Sequence, residues 1–235
     1  MVYRRKKKPK YRFPAPEVDY RNFRLRSLSD TEYKHLKLLL YWPLFGFLFL
    51  FVERIYQVDR YYPVSCSLDG RIPFCEWFLF PYLFWFLYMV GMHLYTLLYD
   101  IEAFRKLMKF IMISFSVTIL IYLLFPTCQE LRPTAFERDN ALTRFMRGFY
   151  QFDTNTNVCP SLHVTGSLAV MFTAFHCKRL QGLKWKLGFG ITAFLICVST
   201  VFLKQHSVVD VAAAIPISLI AYGICFLQRK GRRGL

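Results

Sequence analysis

Apolar residues along this chain gather into long unbroken runs rather than alternating or recurring on one face, and polar connections separate the runs. Six runs stand out, near Leu36 to Val52, Phe74 to Leu98, Leu107 to Phe125, Leu162 to Cys177, Leu187 to Leu203 and Val208 to Leu227. Each approaches the roughly 20 residues that a helix needs to cross about 30 Å of hydrocarbon, the first and fourth being the shortest. The pattern predicts an all-α polytopic membrane protein with six transmembrane helices. Its parts are a basic N-terminal tail over residues 1–35, a six-span body over residues 36–228 and a basic C-terminus over residues 229–235. The stretch Met1 to Lys37 is polar and long, and no small-residue cleavage site follows the first apolar run, so that run is read as a retained span and not as a signal peptide.

One segment has a different rhythm. In the long connection over residues 126–160, the section Asn140 to Tyr150 places Leu142, Phe145, Met146 and Phe149 at i, i+3, i+4 and i+7. That spacing predicts a short amphipathic helix, with Arg144 and Arg147 on its other side. Such a helix either anchors the chain at the membrane interface or roofs a site. Pro9, Pro14 and Pro16 among charges argue for a tail that is extended or lies along the membrane surface up to Asp30, and Ser29 to Glu32 supply capping residues ahead of the first span.

Composition agrees with the pattern: 55% of residues are hydrophobic and 19% aromatic. A formal net charge of +16 suggests nucleic acid only where it covers one soluble face, so its distribution decides. Here it clusters in the tail, in the connection carrying Lys178, Arg179, Lys184 and Lys186, and in the C-terminus carrying Arg229, Lys230, Arg232 and Arg233. The connections on the opposite side balance, with Arg54, Arg60 and Arg71 against Glu53, Asp59 and Asp69, then Arg132, Arg138, Arg144 and Arg147 against Glu130, Glu137, Asp139 and Asp153. Basic connections stay in the cytoplasm, which puts both termini inside. The expected partner is therefore the bilayer and not nucleic acid. The seven cysteines have no metal-binding spacing. Cys66 and Cys75 share one outer connection, which leaves a disulfide open there.

Ionisable groups at span ends are functional candidates by default, and two clusters qualify. One is Cys159-Pro160-Ser161-Leu162-His163 at the start of the fourth run, and the other is Lys204-Gln205-His206 with Asp210 at the start of the sixth. The charge asymmetry assigns both, together with Arg132, to the outer side. His206 and Asp210 are four apart, stacked on one helical face, where the carboxylate fixes the imidazole tautomer and frees its other nitrogen. At the start of the fourth run, first-turn N–H groups and the Ser161 hydroxyl suit a phosphate oxygen. Arg132 adds a planar fork and Lys204 a point charge. By contrast, His93 lies inside a span with no partner at helical spacing, and His35 and His176 fall toward the cytoplasmic side.

Taken together, "LRP" at Leu131 to Pro133, "CPSLHVTG" at Cys159 to Gly166 and "STVFLKQHSVVDV" at Ser199 to Val211 resemble the type 2 phosphatidic acid phosphatase superfamily. Within it they look like the branch of the inositol phosphorylceramide and sphingomyelin synthases, and Asp69 to Phe86 is similar to bacterial members. The resemblance implies a membrane lipid phosphatase or phosphotransferase, set in a bacterial cytoplasmic membrane with its active site facing outside and no cofactor or metal. It implies that His206 attacks phosphorus, Asp210 orients it, His163 protonates the leaving oxygen, and Arg132 and Ser161 hold phosphate. Two departures stand out. Phe125 occupies the place of the family's usual lysine, and Ser199-Thr200 that of its Ser-Arg, so Lys204 is the candidate replacement cation. Three other readings use the same residues: a phosphotransferase moving a headgroup between lipids, a zinc-dependent membrane hydrolase, and a non-catalytic lipid transporter.

Overall fold

A computed structural model of the protein describes residues 15–227. Residues 1–14 of the basic tail and all of the basic C-terminus, on which the cytoplasmic placement of the termini chiefly rests, lie outside the described residues. Among the described residues, five helices are long and apolar enough to cross a membrane, Lys34–Ile55, Glu76–Tyr99, Ile101–Leu124, Leu183–Phe202 and Val208–Leu227. Their α-helical parts are α1 (Tyr41–Leu50), α2 (Leu79–Tyr99), α3 (Ile101–Leu124), α6 (Leu183–Phe202) and α7 (Val208–Tyr222). Between α3 and α6 come α4 (Ala141–Phe152) and α5 (Leu162–His176).

At 15 residues, α5 rises only about 22 Å, short of the roughly 30 Å hydrocarbon layer. It packs against α2, α3, α6 and α7, and Gly166, Ser167, Ala169 and Ala174 are among its buried residues. Small side chains let helix backbones approach where lipid supplies no hydrophobic drive. The centre of the bundle is Phe104, Leu107, Met108, Phe110 and Ile111 of α3 against Ala169 and Val170 of α5 and Ile196 of α6. Connection lengths make neighbouring helices antiparallel, so the end of α1, the starts of α2, α5 and α7 and the end of α6 meet at one end of the bundle.

That end is built from the two long connections. A two-residue parallel pair, β1 (Tyr62–Pro63) on β2 (Thr127–Cys128), ties them together. The amphipathic segment forms α4, started by a capping box of Asn140 and Thr143. Its Met146 is fully buried against Leu79, Tyr82 and Leu203, so much of its apolar face covers the bundle instead of lipid, while Phe145 and Phe152 stay exposed.

The far end differs from expectation. Residues 17–33, expected to be extended or along the membrane surface up to Asp30, instead fold in 3-10 turns under the α2–α3 corner. The Glu17 carboxylate accepts from the Ile101 N–H at 2.9 Å, and the Tyr20 hydroxyl donates to the Leu97 carbonyl at 2.9 Å. The cause is local: a sharp helix–helix corner exposes backbone groups that need partners. His35 is buried there beside Tyr20. All seven cysteines are free.

Candidate active site

The turn from α6 to α7 is tight. Lys204 has a φ of 53°, a left-handed conformation that reverses the chain, and the Thr200 carbonyl accepts from both the Gln205 and His206 N–H groups at 2.9 and 3.1 Å. Ser207 then caps α7, its hydroxyl oxygen accepting from the Val209 N–H at 3.1 Å. At the third helical position, Asp210 Oδ2 accepts from the Ser207 N–H at 2.9 Å and stands 3.1 Å from His206 Nδ1. One carboxylate thus caps the helix and orients the imidazole. A carboxylate can only accept, so Nδ1 carries the proton and Nε2 keeps its lone pair.

The connection between the first span and α2 holds this start in place. Asp69, 1% exposed, accepts from the Ser207 hydroxyl at 2.7 Å, the Val208 N–H at 2.8 Å and the Cys66 N–H at 2.7 Å. Burial alone would raise its carboxyl pKa; the bonds from Ser207, Val208 and Cys66 outweigh that and hold it below the ordinary carboxylate range. The Lys204 ammonium donates to the Asp69 carbonyl at 2.7 Å and to the Ile72 carbonyl. It therefore anchors the connection, and it does not line the cavity described below.

His163 sits in the first turn of α5, after the cis Cys159-Pro160 bond. Tyr122 donates to the Pro160 carbonyl at 2.6 Å, and the Ser161 N–H to the Asp210 carbonyl at 3.2 Å. These bonds fix the start of α5 against those of α7 and the end of α3. The His163 ring stacks on Tyr82 with centroids 4.4 Å apart, lies 4.5 Å from Trp85 and reaches 6.0 Å from the His206 ring. A Cβ at Gly166 would come within 3.0 Å of the Trp85 ring, so glycine is what lets Trp85 sit beneath His163. The Ser161 hydroxyl is fully buried with no hydrogen-bond partner. Burial, and then the nearby Asp210 carboxylate, push the Cys159 thiol up to about 12.

Arg132 reaches the same end, yet its fork faces backbone. Nη1 donates to the Tyr150 and Asp153 carbonyls at 2.9 and 2.8 Å, and Nη2 to the Thr154 carbonyl and Gln205 Oε1 at 2.7 and 2.6 Å. The structure thus brings His163, His206, Asp210 and Ser161 together, and uses Arg132 and Lys204 as struts around them. Among the described residues, no three His, Cys, Asp or Glu side chains converge as a metal-ligand set.

A cavity of about 640 Å³ opens at the two histidines and runs between the first span and α2. On α2 its wall extends from Tyr82 to Leu94, about 18 Å of helix and so roughly one leaflet. Trp42, Phe45 and Phe49 face it from the first span, and His93 lies toward its deep end. There His93 Nδ1 is 2.7 Å from the Met89 carbonyl, a packing role. At the mouth stand residues that the motifs did not single out, Glu53, Asp153, Asn157 and Gln205. Gln205 alone carried a signal, its place next to His206.

An apolar bundle with a carboxylate-oriented histidine, a second histidine across from it and a lipid-length groove defines a membrane protein built around one polar site. Its family follows from the sequence match. The chain belongs to the PAP2 superfamily, whose model matches residues 106–233, more than half of it. Members are phosphohydrolases or phosphotransferases acting on phosphate esters. No curated protein matches the chain, and no solved structure does.

Proposed function

We propose that the protein hydrolyses or transfers a lipid phosphate ester through a phosphohistidine on His206. The observation that carries this is the Asp210 carboxylate 3.1 Å from His206 Nδ1, at the mouth of a cavity long enough for a lipid chain. Nε2 attacks phosphorus, Asp210 stabilises the cation that forms, and His163, as imidazolium, gives its proton to the leaving oxygen. Water or an alcohol then displaces the histidine and returns the proton. Positioning and charge supply most of the barrier lowering in phosphoryl transfer. Ser161 and the first-turn N–H groups of α5 hold a phosphate oxygen, and the scheme calls for no cofactor.

The test is a quench of the purified protein with phosphorus-labelled phosphatidic acid. The expected product is a base-stable, acid-labile adduct, absent in His206→Ala; an adduct that persists in that variant overturns the scheme. In the same reading α5 is the fourth of six spans, and the site faces away from the cytoplasm because the basic connection at Lys178 to Lys186 lies at the opposite end. Ser67→Cys, in the exposed first connection, is expected to react with an impermeant thiol reagent from outside. Labelling only after the membrane is opened would reverse the orientation.

A further inference from the structure

The two histidines are held in different ways. His206 has a carboxylate, Asp210, 3.1 Å from its Nδ1. His163 has none: no ion pair among the described residues includes it, and its Nε2 is buried without a hydrogen-bond partner. What bounds its ring is aromatic. Tyr82 and Trp85 stand three apart on α2, which sets them on one helical face. The Tyr82 ring centre lies 4.4 Å from that of His163 with the planes 26° apart, and the Trp85 ring centre 4.5 Å away with the planes 41° apart. Both approaches are closer than the 6.0 Å between the two imidazoles.

Each of these rings is itself fixed. Tyr82, 1% exposed, packs with Leu79, Met146 and Leu203, meets Phe149 edge-on at 5.7 Å and donates its hydroxyl to Asp153 Oδ2 at 3.5 Å. Asp153 is in turn acted on by Arg132 and Arg54, and it enters only through that bond. Trp85 is wedged against Gly166, where an added Cβ would come within 3.0 Å of its ring. Its Nε1 is buried with no partner, so packing alone sets its angle. An imidazole stacked in this way cannot swing out of plane, and the π faces of tyrosine and indole attract the positive charge that it carries as imidazolium. Neutral imidazole has no net charge for those faces to act on.

We infer that Tyr82 and Trp85 are positioning residues for the acid step: they hold the His163 ring toward the leaving oxygen and support its positive charge, where His206 relies on a carboxylate. The inference rests on the phosphoryl-transfer reading, in which the proton of His163 passes to the ester oxygen as the bond from that oxygen to phosphorus breaks. Neither aromatic side chain gives or takes a proton. Their contribution therefore scales with how much the leaving oxygen needs one.

The experiment compares two esters on the full-length protein in nanodiscs: phosphatidic acid, whose alkoxide must be protonated to leave, and a nitrophenyl phosphate with an alkyl tail, whose phenolate leaves without a proton. Tyr82→Leu is expected to lower kcat on phosphatidic acid about tenfold or more with KM within about twofold, and the loss to shrink to about threefold or less on the aryl ester. Tyr82→Phe keeps the ring and is expected to recover most of the turnover on phosphatidic acid. His163→Ala sets the scale, with a loss of about a hundredfold on phosphatidic acid and about tenfold or less on the aryl ester. Should Tyr82→Leu not fold, Gly166→Ala carries the same comparison, since its methyl meets the Trp85 ring. Equal losses on both esters in the clamp variant, or a Tyr82→Phe as impaired as Tyr82→Leu, overturn the inference and leave the His163 acid standing. Equal losses in His163→Ala remove the acid step itself, and the inference falls with it.

Discussion

The two ends of the bundle use charge in opposite ways. At the far end Lys178, Arg179 and Lys184 are exposed, and the one carboxylate partner of Lys178, Asp100, lies 3.9 Å away. At the site end Arg132, Lys204 and Asp69 are each held by several short hydrogen bonds to other segments, and Asp210 by bonds within its own turn. Exposed cations are worth little to stability and act on where a segment can lie relative to a membrane. Buried ones act on geometry, since a low-dielectric surrounding makes each unmatched partner expensive. On the proposed orientation, the same residue types therefore act on topology at one end and on atomic positions at the other.

Substitutions at the site end should separate chemistry from scaffolding. His206→Ala removes the proposed nucleophile and is expected to cut turnover about a thousandfold or more while melting stays close to wild type. Asp210→Asn is next: it loses control of the His206 tautomer and weakens the α7 cap. Turnover is expected to fall about a hundredfold or more, with a stability loss of about 1 kcal/mol on thermal unfolding. A variant that loses stability but keeps full turnover would show Asp210 to be a cap alone.

Run length made the spans legible, and the HxxxD spacing of His206 and Asp210 made their pairing legible, because both depend on contacts within one helix. The short α5 was also visible as an apolar run, though its 15 residues fall short of a bilayer's width by themselves. What the sequence hid is long-range. Nothing local says that Lys204 turns back onto the Asp69 carbonyl, 135 residues away, or that Arg132 points its fork at carbonyls of the α4 end. Glu53 and Asp153 read as charge balance in two separate connections, and only the packing of the first span beside α4 sets them on one wall.

Arg132→Lys tests the strut directly. Lysine keeps the charge but not the four-point fork, so the α4 end should loosen. The expected result is a stability loss of about 2 kcal/mol together with a roughly tenfold fall in kcat through a misplaced Gln205. A rise in KM for phosphate analogues without any change in melting would mean that the guanidinium grips phosphate itself. Asp69→Asn follows with a loss of about 1–2 kcal/mol in charge-assisted bonds. Because its folded pKa is depressed, the ionised Asp69 contributes stability above the unfolded value near 3.9 and loses it as pH falls through the lower folded value. Melting of the wild type should therefore drop more than that of Asp69→Asn between about pH 5 and pH 3.

The smallest effect is expected from removing charge at the far end. Lys178→Ala with Lys184→Ala takes away two exposed ammonium groups and one loose ion pair, so stability should move by no more than about 0.5 kcal/mol. Turnover per correctly inserted molecule should stay at the wild-type level, since neither residue lines the cavity. What should change is the fraction inserted with the site facing out, because these residues supply the basic bias of their connection. Protease protection of the Lys178 to Lys186 connection in intact vesicles, measured beside specific activity, reads the two quantities separately. A fall in specific activity with unchanged insertion would mean that charge at this end reaches the site through the bundle, and the division of labour between the two ends would not hold.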